Sequence, residues 1–167
     1  MAAPTWVSGQ VLNASDVNNW FVPLAVYKTS STSRSSTTTN SPDPDLVIPL
    51  AVSAFYRFEM YASYTGSSTA SQGIKGAFTV PTGTTLRYHL IGVSNSGSTA
   101  QVGGTWTGTD TIILGTTNAV NSGFSLLGTL FTSTTAGSIS YNWSQSVSES
   151  TAVSLQAQSC MILTRIG

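Results

Sequence analysis

The sequence predicts an all-β fold: about eight antiparallel strands in a jelly-roll sandwich, behind an N-terminal arm with one short helix. Three observations predict it. Only 7% of the 167 residues are charged, against about a quarter in ordinary globular chains, and Ser and Thr fill roughly a third of the sequence. Hydrophobic residues still reach 40%, too many for a disordered chain. From residue 46 onward, short alternating runs are separated by Gly, Ser, Thr and Asn turns, the spacing of a sandwich or barrel.

Residues 1–28 read as the arm. Asn13 is a good helix N-cap, Asp16 follows three residues later where it faces the positive helix end, and Pro23 ends the turn. Val17, Trp20 and Phe21 recur at helical spacing and form one apolar stripe. With Trp6, Val11 and Leu12 they demand a surface to cover, either this chain's own domain or another protein. So short a helix is not stable alone.

Residues 29–45 hold no large apolar residue and read as an extended, Ser/Thr/Pro-rich linker, or as an arm laid across a neighbour. Residues 46–167 form the body. Leu46 to Val52 is the first strand. In the second, Tyr56, Phe58, Met60, Ala62 and Tyr64 share one face, with Arg57, Glu59 and Ser63 on the other. Ala77 to Val80 follows, stopped by Pro81. From Thr85 to Val93, Leu86, Tyr88 and Leu90 alternate with Arg87, His89 and Ile91. Thr105 to Leu114 holds Trp106. Phe124 to Phe131 is apolar on both faces, as expected of a strand in a core or an interface. Ile139 to Val147 alternates, and the last run carries Val153, Leu155, Ala157, Ser159, Met161 and Leu163 on one face. Tyr56, Phe58, Phe124, Leu126, Tyr141 and Trp143 are the expected core or subunit-interface anchors.

No constellation points to catalysis. His89 is the single histidine and reads as a strand residue facing solvent or a subunit neighbour. Asp43 and Asp45 bracket Pro44 and read as turn residues; Arg57 and Glu59 read as a solvated or interfacial pair. Cys160, the lone cysteine, permits no intrachain disulfide, and its apolar neighbours suggest a buried thiol. These residues offer no metal set and no cofactor fingerprint, so the expectation is a protein without enzymatic activity, metal or cofactor. Trp106 and Tyr61 are candidates for stacking on a glycan, against the plainer reading as core or interface residues.

Zero formal net charge supplies no positive field for nucleic acid or an anionic membrane, and it favours association, hence an assembly. The first residues lack a signal peptide's basic and apolar regions, so synthesis in the cytoplasm is expected. No apolar run is long enough for a membrane span.

The stretch from Trp6 to Asn18 resembles the Trp-x-x-Gly-x-x-Leu-Thr-Ala-x-x-Asn arm that opens many structural proteins of tailed bacteriophages, especially those of actinobacteria, with Asn13 in place of the usual Thr. Tyr56 to Thr65, Lys75 to Gly83, Ala136 to Gln145 and Leu163 to Ile166 are similar to the body of small virion accessory proteins of that group. The resemblance implies a tumour-necrosis-factor-like jelly roll displayed as a homotrimer on the virion. It implies a capsid decoration or head-fibre protein whose arm docks on the major capsid protein. Alternatives are a minor tail or baseplate protein, or an adhesin module that binds a host-surface glycan.

Overall fold

The computed structural model describes residues 7–66, 72–93, 100–102, 106–107, 110–115 and 122–167. One helix, α1 (Ala14–Phe21), precedes thirteen strands among these residues. They are β1 (Leu24–Tyr27), β2 (Thr32–Arg34), β3 (Ser41–Leu50), β4 (Phe55–Thr65), β5 (Ile74–Thr79), β6 (Thr85–Val93), β7 (Ala100–Val102), β8 (Trp106–Thr107), β9 (Ile112–Leu114), β10 (Ser122–Phe131), β11 (Gly137–Gln145), β12 (Val153–Leu155) and β13 (Cys160–Arg165).

The strands form two antiparallel sheets. The larger runs β1-β13-β4-β10-β6-β7, with β12 joining β2 to β4 and β8 lying against β6; the smaller runs β3-β11-β5-β9. Strands β3, β5, β9 and β11 of one sheet interleave in sequence with β4, β6, β7 and β10 of the other, the wrapping of a jelly roll. All of these but β7 lie in runs that the alternation predicts, and the eighth predicted run, the last, forms β12 and β13. The further strands flank that body, and β1 and β13 widen the larger sheet beyond β4.

Alternation places the core. Tyr56, Phe58, Met60 and Tyr64 of β4 point inward with Leu86, Tyr88 and Leu90 of β6 and Phe124, Leu126 and Leu130 of β10. The smaller sheet answers with Ile74, Phe78, Ile139, Tyr141 and Trp143. Phe78 meets Phe58 edge-on at 5.3 Å between ring centres and Tyr141 at the same distance, and each large apolar side chain so buried contributes about 1.5–3 kcal/mol. Gly76 is required here: a Cβ at that position would overlap the hydroxyl of Tyr141.

Three readings need correction. The last run, read as one strand, divides into β12 and β13, because Gln158 adopts φ 69° and turns the chain; its amide donates to the Lys28 carbonyl at 2.8 Å. Residues 105–114 likewise divide into β8 and β9. Asp43 and Asp45 lie within β3 and not in a turn.

Strand β3 is an edge, and Pro42, Pro44 and Pro49 remove three of its amide donors, a device that discourages pairing with another chain. Pro42 and Pro44 lie where its ladder with β11 breaks. Ser140 pairs with Val47 whereas Asn142 pairs with Pro42, so a bulge spans residues 43–46. Bulges re-aim side chains, and this one turns Asp43 inward.

Candidate interaction surface

Strand register assembles the outer face of the larger sheet. One row across it reads Tyr27, Cys160, Tyr61, Ser125 and Ile91; the next reads Ala25, Ile162, Glu59, Leu127 and His89. A third holds Thr164, Arg57, Thr129 and Arg87, and a fourth Phe55, Phe131 and Thr85. Five large residues of this face, Tyr27, Tyr61, Ile91, Leu127 and Phe131, are between 38% and 65% exposed.

The charged residues in these rows are Arg57, Glu59 and Arg87. Arg57 Nε sits 2.9 Å from Glu59 Oε1, and the Tyr61 hydroxyl donates to Glu59 Oε2 at 2.9 Å. That hydrogen bond holds the Tyr61 phenol above its ordinary pKa, because the phenol is a donor only while protonated. The outer face of the smaller sheet is different in kind. It presents Ser138, Ser140, Asn142, Thr79, Ala77 and Lys75, with Asn142 Nδ2 donating to Thr79 Oγ1 at 2.8 Å. Ile113 on its edge strand β9 is exposed.

The two sheets meet at a seam where β1 packs beside β3. Lys28 Nζ, wholly buried, donates to both oxygens of Asp43 at 2.9 Å, to Asp45 Oδ2 at 3.1 Å and to Thr32 Oγ1 at 2.9 Å. Trp143 Nε1 donates to Asp43 Oδ2 at 3.0 Å. Arg34 lies over the Trp143 ring at 4.2 Å and donates to the carbonyls of Ser41, Pro42 and Trp143. Partial burial lowers the Arg34 pKa from its ordinary value, against the pull of Asp43. The segment read as a linker therefore carries β2 and the start of β3, and polar side chains fix it to the body.

The arm leaves the sandwich from Leu24, which pairs with Leu163. That is the end of the body where β13 finishes, and β4 begins, opposite the end where Tyr64 pairs with Ser122. Asn13 caps α1, its carbonyl accepting from the Val17 amide at 3.2 Å. Helix α1 lies against β13, yet Val7, Val11, Leu12, Val17 and Val22 remain exposed, Val11 at 77%. Trp6 lies outside the described residues, as do the side chains of Trp20 and Phe21.

The other singled-out residues separate cleanly. Tyr56, Phe58, Phe124, Leu126, Tyr141 and Trp143 are all buried in the sandwich. Tyr61 is exposed on the larger sheet's outer face, and Trp106 pairs with Tyr88 through β8, its side chain outside the described residues. His89 is exposed beside Leu127, which separates it from Glu59. Cys160 is half-buried and not in the core, because it is one residue out of step with the inward-facing Met161 and Leu163. The Lys28–Asp43–Trp143 network escaped sequence reading; its signal was an acid between two prolines facing a lysine that ends an apolar run.

Among the described residues no three of His, Cys, Asp and Glu are grouped to hold a metal ion, and no helix is long and apolar enough to cross a membrane. The fold and surfaces define a jelly-roll β-sandwich with one apolar outer face and an apolar arm. No family model matches the chain, and no curated protein matches it. Among solved structures it is similar to that of the Gt strain of infectious bursal disease virus, with TM-score 0.20 and 9% identity over 99% of this chain and 45% of that one. It is similar also to that of the Gx strain, with TM-score 0.20 and 6% identity over 86% of this chain and 37% of that one. The chain thus spans less than half the length of either, and at that TM-score the likeness carries no argument.

Proposed function

We propose that this chain is a structural accessory protein of a tailed-phage virion, a capsid decoration or head-fibre protein with no catalytic role. The arm docks on the major capsid protein, and the jelly roll projects from it as a homotrimer. One observation carries the reading. Val7, Val11, Leu12, Val17 and Val22 stand exposed on a segment that leaves one end of a completed sandwich. Apolar residues gathered on so short a segment mark a binding site for another protein. The likeness of residues 6–18 to the arm of phage structural proteins supplies the kind of partner.

Immunogold labelling of virions that carry the protein tests the reading. Label spread over the head is expected. Label confined to the tail would move the protein to the minor tail or baseplate class, and unlabelled particles would remove a virion role altogether.

A further inference from the structure

We propose that the outer face of the larger sheet, centred on Tyr61, Leu127 and Ile91, is covered by a second copy of this chain. This gives the homo-oligomer of the preceding reading a specific surface. The two outer faces of the sandwich provide an internal comparison. The smaller sheet turns out Ser138, Ser140, Asn142 and Thr79, with Ile113 as its exposed large apolar side chain, whereas the larger turns out Tyr27, Tyr61, Ile91, Leu127 and Phe131. Both faces belong to one chain of one composition, so the difference is positional. Strand β10 carries it furthest, with Leu126 and Leu130 facing the core and Leu127 and Phe131 facing out.

The size fits. Five adjacent strands at about 4.8 Å spacing and about eight residues at 3.3 Å per residue span roughly 24 by 26 Å, about 600 Å² in projection before side-chain relief. A stable interface takes about 800 Å² from each partner. The chemistry fits a neutral, apolar partner. Arg57 and Glu59 already satisfy each other, tyrosines flank them as they do at interface centres, and the whole chain carries six positive and six negative residues. A second copy presents the same face, apolar around Tyr61, Leu127 and Ile91, with Arg57, Glu59 and Arg87 as its charged residues.

Light scattering on the full chain and on Leu127→Arg, Ile91→Arg and Thr79→Arg tests the assignment. All three positions are exposed, so circular dichroism should show each variant folded. The native chain and T79R, altered on the other sheet, should be oligomers; L127R and I91R should be monomers. Cys160, the lone cysteine, lies on the proposed face between Tyr27 and Tyr61 and reports independently. Its alkylation should be slow in the native oligomer, and that protection should be lost in L127R. A monomeric native chain at micromolar concentration, or an L127R oligomer with Cys160 still protected, overturns the proposal and leaves the face to another protein or a glycan. Particle binding, measured separately, belongs to the arm and stands or falls without this result.

Discussion

Lys28 Nζ lies 2.9 Å from both carboxylate oxygens of Asp43, and neither side chain touches solvent. The pair joins the end of β1, in the larger sheet, to the bulge of β3, in the smaller. Hydrogen-bonded ladders cannot cross between facing sheets, so side chains must close this edge of the sandwich. Asp45, Thr32 and the Trp143 indole complete the ligation, which is what makes two buried charges tolerable.

Breaking one side of that pair leaves an uncompensated buried charge. Asp43→Asn or Lys28→Met should each cost about 3–5 kcal/mol of unfolding free energy. The double variant should cost less than the sum of the two, since neither charge is then left alone. Urea denaturation measures all three. A loss under about 1 kcal/mol for either single change would show that the seam is held otherwise.

Truncation should separate arm from body at a sharp boundary. Removing residues 1–22 takes away exposed apolar residues and leaves β1, Lys28 and the seam intact, so the melting temperature should hold. Removing residues 1–28 deletes β1 and the lysine, and should destabilise the domain at least as much as Lys28→Met. Thermal unfolding followed by circular dichroism distinguishes the two cuts.

The jelly-roll strands were legible because alternation has a period of two and each run buries one parity. Tyr56 through Tyr64 and Leu86 through Leu90 face the core as that parity requires. The seam was not legible. Lys28 and Asp43 are fifteen residues apart in segments whose composition reads as arm and linker, and only the β3 bulge brings them together. Cys160 shows the opposite failure: its apolar neighbours suggested burial, while its parity placed it on the outer face. In a strand, position in the alternation outweighs local hydrophobicity.

Gly76 is a test of core packing. A methyl group there would strike the buried Tyr141 hydroxyl, so Gly76→Ala should cost about 1–3 kcal/mol through overpacking. Chemical denaturation of G76A, alone and combined with Tyr141→Phe, should show part of that cost relieved when the hydroxyl is removed.

Burial raises the phenol pKa values of Tyr64, Tyr88 and Tyr141 above the ordinary 10.0. The folded state then binds these protons more tightly than the unfolded state. Their contribution to stability is complete below pH 10 and falls as the pH rises above it. Tyrosinate absorbance should show Tyr64, Tyr88 and Tyr141 ionising only together with loss of the β-sheet signal. Free titration of all six tyrosines with the fold intact would contradict the packing described.

Anchoring by the arm is tested most directly by co-sedimentation of the full chain, and of the chain lacking residues 1–22, with particles stripped of the protein. The full chain should bind saturably and the shortened one not at all, although both fold. Equal binding by the two would place the docking surface on the sandwich and contradict anchoring by the arm.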